Sequence, residues 1–488
     1  MEAAGFEPSV LALRHFGAAK LWDRRRTRRL VKTAELLMAR PDGRLPQKLA
    51  DRADLVGLYR LLDCERVTHA SVLEPHRRLT HATMAAHDGV VLVIHDTTEL
   101  DFGGVAALGE ELGQIGNGGC RGYLCHNALA VGLGEGGRQV LGLVHQVLHR
   151  RRVVPAGETP AQKRAHEGRE SRLWLAGCEG CGPAPDGRLW VDVCDRGADT
   201  VEFIEYQVSR GRHFVIRVAK DRNLEGDDHL GADRIHHKLR SYARDLPVLG
   251  TRSLEVPASG RHAARAAAMT VAAGPLRLRA SRFARGNCAG MAMDLWVVRV
   301  AEVDPPPGAL PLEWVLLSDL PADTFERACQ RVDWYGHRPV IEDYHKGQKS
   351  GVSVEQSRFI EASRLRPLVA LLSVVAAVLL TLRDAGRQRD ADVRPATDLL
   401  PEVYVKVMAA RSAKRAREKG PRARPPVTEH MSVREFVVEL AKLGGFMARK
   451  SDGHPGWQTL WRGWATLQLM VEGAMAIMAI VDERCVHE

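Results

Sequence analysis

The chain has 488 residues and nine cysteines, but no paired cysteine framework, which argues against a small disulfide-stapled secreted fold. Cys178 and Cys181 have CxxC spacing without a second CxxC or HxxxH half-site, so they are expected to be loop cysteines with no structural zinc. The apolar run LVALLSVVAAVLLTL at 368–382 has 15 residues (382 − 368 + 1), short of the roughly 20 that span a bilayer, and reads as a buried helix. Residues 1–10 contain two Glu and a Pro, unlike a signal peptide, so a reducing cytoplasm and no membrane partner are expected. Acidic residues are in deficit, 60 against 70 Lys and Arg, and the net charge of +10 favours a polyanionic partner without identifying one. The length predicts two or three domains with ample core.

What is present centres on residues 333–351, DWYGHRPVIEDYHKGQKSG. Pro339 suits the first turn of a helix that runs without a breaker to Gly347. On it Glu342, His345, Lys346 and Lys349 take i, i+3, i+4 and i+7 positions, so one face is expected to combine a carboxylate with two ammonium groups. Such a face is either a solvated row of ion pairs or a place where a carboxylate holds Mg²⁺ while cations grip phosphate. The spacing of Tyr335, Arg338, Glu342 and Lys349 resembles a signature of bacterial cut-and-paste transposases of the insertion-sequence-four type.

Further along the chain, GVVLVIH at 89–95 reads as a buried central strand ending at Asp96. Two more strands, 126–133 and 139–147, flank a hairpin turn at 134–137. A helix over about 160–176 crosses over, and RLWVDVC at 188–194 gives a strand ending at Asp195 that should pair parallel to an earlier one. If the two strands are neighbours, their carboxylates share a sheet edge and can bind metal. Strand, meander, helix, strand and a later helix bearing Glu342 is the order of a ribonuclease-H-like fold. HDTT at 95–98, VCDRGAD at 193–199 and IEDYHK at 341–346 resemble the same family's catalytic motifs.

Residues 225–318 are rich in short β-like runs and read as an insertion subdomain after the strand 213–218. Residues 1–70 read as helical. Arg25, Arg29 and Lys32 form a basic face joined by Arg26, and the run 23–31 together with GLYR at 57–60 resembles the family's end-binding domain. Residues 383–426, with the basic run RSAKRAREKGPRAR, read as a linker or flexible phosphate contact. Trp457, Trp461 and Trp464 fall on one helical face, either a core stripe or a dimerisation surface.

The expected organisation is therefore α/β: a helical end-binding domain (1–70), a ribonuclease-H-like mixed sheet with helices and a β insertion (71–385), and a helical dimerisation domain (386–488). The resemblance implies a DNA transposase in which Asp96, Asp195 and Glu342 hold two Mg²⁺ ions, with Mn²⁺ able to substitute and no nucleotide cofactor. It implies nicking, hairpin formation and resolution, and 3′-end transfer into target DNA by a homodimer. Tyr335, Arg338, Lys346, Lys349, Arg217, Arg25, Arg26, Arg29 and Arg60 would contact DNA, and Trp314, 28 positions before Glu342 (342 − 314), would receive an extruded base. Pro339-Val340 stands where family members often have Trp-Arg. Two alternatives remain at this point: a DNA-binding inhibitor of transposition, and a metal-dependent nuclease without joining activity.

Overall fold

The computed structural model of the protein describes residues 5–224, 238–256, 264–278, 292–308, 311–420, 425–449 and 452–486. Five helices come first: α1 (Pro8–Phe16), α2 (Arg24–Ala39), α3 (Leu45–Lys48), α4 (Arg52–Leu62) and α5 (His69–Ala86). Asp23 starts α2 by accepting a hydrogen bond from the Arg25 amide, and Leu30, Ala34, Leu37 and Met38 form its buried stripe. Asp51 caps α4 in the same way, through the Ala53 amide.

The strands are β1 (Val90–Asp101), β2 (Gly113–Gln114), β3 (Arg121–Gly134), β4 (Gly137–His149), β5 (Trp190–Cys194), β6 (His213–Arg217), β7 (Val248–Val256), β8 (Arg265–Leu278), β9 (Met293–Glu302) and β10 (Glu313–Ser318). They form one sheet in the order β2-β3-β1-β5-β6-β10-β9-β8-β7, with β4 beside β3. β1 runs antiparallel to β3 and parallel to β5, which is parallel to β6. The subset β4-β3-β1-β5-β6 is the expected ribonuclease-H-like core. Val91, Leu92, Val93 and Ile94 of β1 are fully buried, as a strand covered on both faces requires.

Several expectations are corrected. β10 is antiparallel to both β6 and β9, so the inserted strands prolong the core sheet instead of forming a subdomain beside it. The reason is local: Leu316 and Leu317 point to opposite faces and both are fully buried, which a strand achieves only inside a covered sheet. Residues 225–237, 257–263, 279–291 and 309–310 of the expected insertion lie outside the described residues. The crossover helix is broken into α6 (Pro160–Ala165) and α7 (Leu173–Cys181), because the Gly168 amide turns back to His166 Nδ1 at 3.0 Å. Cys178 and Cys181 are buried on α7 and are not loop cysteines.

Two further helices, α8 (Val201–Ser209) and α9 (Leu239–Asp245), pack near β6 and β9. Next come α10 (Phe325–Gly336), α11 (Pro339–Lys346), a wide π turn at Gly347–Gly351 and α12 (Ala362–Ala385). The expected buried helix is α12, longer than its apolar run. By length and composition α12 and Trp457–Ile480 could each cross a membrane; 89% of the apolar window of α12 is buried inside the protein, against 28% for the other.

The expected linker contains α13 (Glu402–Lys419), followed by α14 (Val433–Leu443) and α15 (Trp457–Val486). Tyr404, Val405 and Met408 give α13 a buried stripe, and the Tyr404 ring stacks on Trp464 with centroids 5.7 Å apart. Residues 421–424 of the basic run lie outside the described residues. The tryptophan face of α15 is turned into the molecule: Trp464 Nε1 donates to the Met38 carbonyl of α2 at 2.9 Å. Trp457 sits in a notch made by Gly347 and Gly351, where a Cβ would come within 1.9 and 2.2 Å of its ring. The core-stripe reading of these tryptophans is therefore correct. Leu469, Met475, Ile477, Met478 and Ile480 of the same helix are exposed instead.

Candidate active site and nucleic-acid interface

The parallel pairing of β1 with β5 ends at His95 opposite Cys194, so Asp96 and Asp195 are the next residues of each chain. Asp96 is not at a strand end, as expected, because β1 continues to Asp101 paired with β3 alone. It lies where the parallel neighbour stops, which leaves its side chain room at the opened edge. β5 does end, and the Asp195 carboxylate accepts the Gly197 amide at 2.9 Å. Glu342 projects from the first turn of α11, whose amino-terminal boundary residue is Arg338.

All three carboxylates meet the Arg338 guanidinium. Its Nη2 lies 2.8 Å from Asp96 Oδ2 and 3.8 Å from Asp195 Oδ2, while Nη1 lies 2.7 Å from Glu342 Oε1. The Asp96 side chain is 13% exposed and that of Glu342 48%, so the group is sunk at the sheet and open at the helix. Burial raises the Asp96 carboxyl to about 6, with Arg338 opposing the shift and the neighbouring acids adding to it. Three carboxylates against one guanidinium leave a formal charge of −2 (3 × −1 + 1), a deficit that hard divalent cations match through an all-oxygen donor set.

Beneath this edge the His95 ring and Asp192 hydrogen-bond at 3.0 Å, both buried. Asp192 also accepts from Arg212 Nη2 at 2.8 Å and Gln207 Nε2 at 2.9 Å. Burial alone would raise the Asp192 carboxyl, but Arg212 and His95 hold it well below the carboxylate range. His95, Cys178 and Asp192 offer atoms within 4.8 Å of one another that could hold a metal. The Asp192 oxygens are already engaged by a guanidinium, an amide and an imidazole, so the cluster acts as a cross-brace that keeps β1 and β5 in register.

The other expected residues divide. Tyr335 lies in the last turn of α10 and is buried; its ring meets Trp314 edge-on at 5.6 Å, and burial raises its phenol, with the neighbouring Arg217 and Arg338 charges opposing the shift. Arg217 Nη2 also donates to the Glu313 carbonyl at 3.2 Å. Trp314 is half-buried on β10. The four-residue face expected on α11 is split: His345 is buried against Asn127 at 3.1 Å, whereas Glu342 and Lys346 are exposed. The π turn displaces Lys349, whose Nζ lies 3.4 Å from Glu355. Lys349 walls an open cleft of about 510 Å³ that also touches Thr97, Thr98, Glu170 and Trp174.

On α2, Arg29 is bound to Asp54 at 2.7 Å and Arg26 donates to the Leu21 carbonyl at 3.1 Å, so both serve the fold. Arg25 and Arg60 are exposed. Arg24 and Arg28, equally exposed, were not among the expected contacts, although the inward stripe of Leu30 and Leu37 places them on the outer face.

Residues 11–67 match a family model described as transposase DNA-binding, and residues 397–482 match one described as the transposase Tn5 dimerisation domain. The first span holds α2 to α4, and the second holds α13, α14 and most of α15.

Proposed function

The chain belongs to the Tn5-like transposases of the insertion-sequence-four type, and from that premise we propose that it excises a mobile element by nicking its ends, closing and reopening a hairpin there, and joining the 3′ ends to target DNA. The observation that carries this reading is the convergence of Asp96, Asp195 and Glu342 on Arg338. In it these three carboxylates hold Mg²⁺, or Mn²⁺ in its place. When bound, two such ions would activate the attacking oxygen and stabilise charge on the leaving one.

The chain's own residues position the strand. Arg338 keeps the carboxylates together and offers a guanidinium to a phosphate entering beside them. Lys349 in the cleft wall and Lys346, exposed on α11, grip neighbouring phosphates. Tyr335, locked between Trp314 and Arg217, sets the distance of the strand from Glu342. Trp314 swings its exposed edge to receive an extruded base while the hairpin closes. Arg25 and Arg60, with Arg24 and Arg28, bind the inverted repeats. The exposed apolar face of α15 pairs two copies, and the reaction takes place in the bacterial cytoplasm on the nucleoid, with no nucleotide cofactor.

Cleavage of a plasmid carrying the inverted repeats that border this gene tests the reading. Asp195→Asn and Glu342→Gln should each abolish nicking while end binding persists, because each removes a metal-ligand charge but almost no volume. Trp314→Ala should nick normally and close hairpins about 5- to 150-fold more slowly. Nicking at the wild-type rate by either carboxylate variant would overturn the assignment.

A further inference from the structure

The loop entering α2 holds Trp22 with 70% of the residue exposed and its backbone at φ 60°. That left-handed conformation is strained for a bulky side chain and persists only where neighbours impose it. Here they do: Arg26 Nη1 donates to the Leu21 carbonyl at 3.1 Å, Thr27 Oγ1 to the Ala19 carbonyl at 2.9 Å, and the Arg25 amide to Asp23 at 2.8 Å. Leu21 is fully buried beneath the turn, and the indole is thrown outward. The strain thus presents most of an aromatic residue to solvent.

The ring is not alone. The Arg66 guanidinium lies over one face, 5.5 Å from the centroid, and Arg24, Arg25 and Arg28 are exposed along the adjoining start of α2. A flat indole backed by a cation and bordered by arginines matches the face of a nucleobase with phosphates on either side. A regular duplex hides its base faces in its own stack, so the ligand is a nucleotide unstacked at a frayed or distorted step. We propose that Trp22 and Arg66 form a stacking platform for an unstacked nucleotide of the bound DNA end, separate from Trp314 on β10. This rests on the end-binding reading of residues 11–67.

Trp22→Gly is the informative variant, because glycine adopts a positive φ without strain and removes the ring. Its thermal midpoint should equal or exceed that of wild type. Its affinity for a duplex bearing the bordering inverted repeat, and for a dT single strand of about 15 nucleotides, should fall about 5- to 150-fold, with Trp22→Phe recovering part. Unchanged affinity, or a lowered midpoint that assigns the indole to the fold, overturns the platform. A variant with Arg24, Arg25 and Arg28 all changed to Ala separates the two ideas. If it loses duplex binding while Trp22→Gly does not, end binding stands and the platform alone fails; if it too binds like wild type, the end-binding reading falls as well.

Discussion

The carboxylate cluster and helix α2 both carry charges of one sign picked out by spacing, yet the fold treats them differently. Asp96, Asp195 and Glu342 come together on one guanidinium from positions far apart in the chain. The arginines of α2 are neighbours in sequence and go to different places: Arg25 to solvent, Arg26 to a carbonyl, Arg29 to Asp54. The register of the sheet sets Asp96 and Asp195 side by side, because one pairing determines every other along the strand, and only Glu342 depends on how a helix docks. A helix has no such constraint. Its basic face is divided by whatever packs against it, and spacing alone does not say what that is. α15 repeats the lesson, with tryptophans inward and an apolar face outward on one helix.

The sharpest way to break this contrast is on α15. Trp464→Ala removes a fully buried ring that holds α2 and α13, and should cost about 3 to 5 kcal/mol in urea or thermal unfolding. Met478→Glu, on the exposed face, should convert dimer to monomer in sedimentation and leave unfolding within about 0.5 kcal/mol when both proteins are diluted to monomers. If the two effects were exchanged, the faces would be wrongly assigned.

Lys48 is the extreme case of a cation drawn into the fold. Burial lowers its amine to about 7, with Asp42 opposing, and its Nζ donates to the Val352 carbonyl. The unfolded chain holds this proton up to its ordinary pKa and the folded chain releases it near 7, so stability rises as pH climbs from about 7 toward 10.5. The rise is on the order of 4 kcal/mol over that window, and Lys48→Met should flatten the curve measured by urea unfolding. A curve unchanged by the substitution would mean that the amine is hydrated.

The smallest effects lie on α2. Arg29→Ala should cost up to about 1 kcal/mol of stability, through Asp54, and little binding. Replacing Arg24, Arg25 and Arg28 with Ala should leave stability alone and reduce the slope of log K against log salt by about 0.9 for each lost phosphate contact. Equal slopes for wild type and the triple variant would remove α2 from the interface.

Much of the core was legible in the sequence. The β-branched run before Asp96, the glycine-rich hairpin turn and the crossover to Asp195 correctly indicate antiparallel and parallel pairing. The β insertion was legible as strands, but its union with the core sheet depends on the open edge of β6, which no local pattern reports. The burial of His345 was hidden because the opposing Asn127 comes from a strand more than 200 residues earlier (345 − 127 = 218). Arg338 was expected to contact phosphate, and its place at the centre of three carboxylates follows only from the angle between α11 and the sheet. Trp22 escaped notice because exposure and a positive φ have no signature in periodicity.

The central claim is that Asp96, Asp195 and Glu342 act as one divalent-cation site. Counting bound Mn²⁺ by electron paramagnetic resonance, in the complex with uncleaved end duplex, tests it most directly. The account predicts that wild type retains Mn²⁺ and that Asp96→Asn combined with Asp195→Asn loses at least one ion per subunit while holding the DNA equally well. The same number of ions bound with the same affinity by both proteins would contradict it.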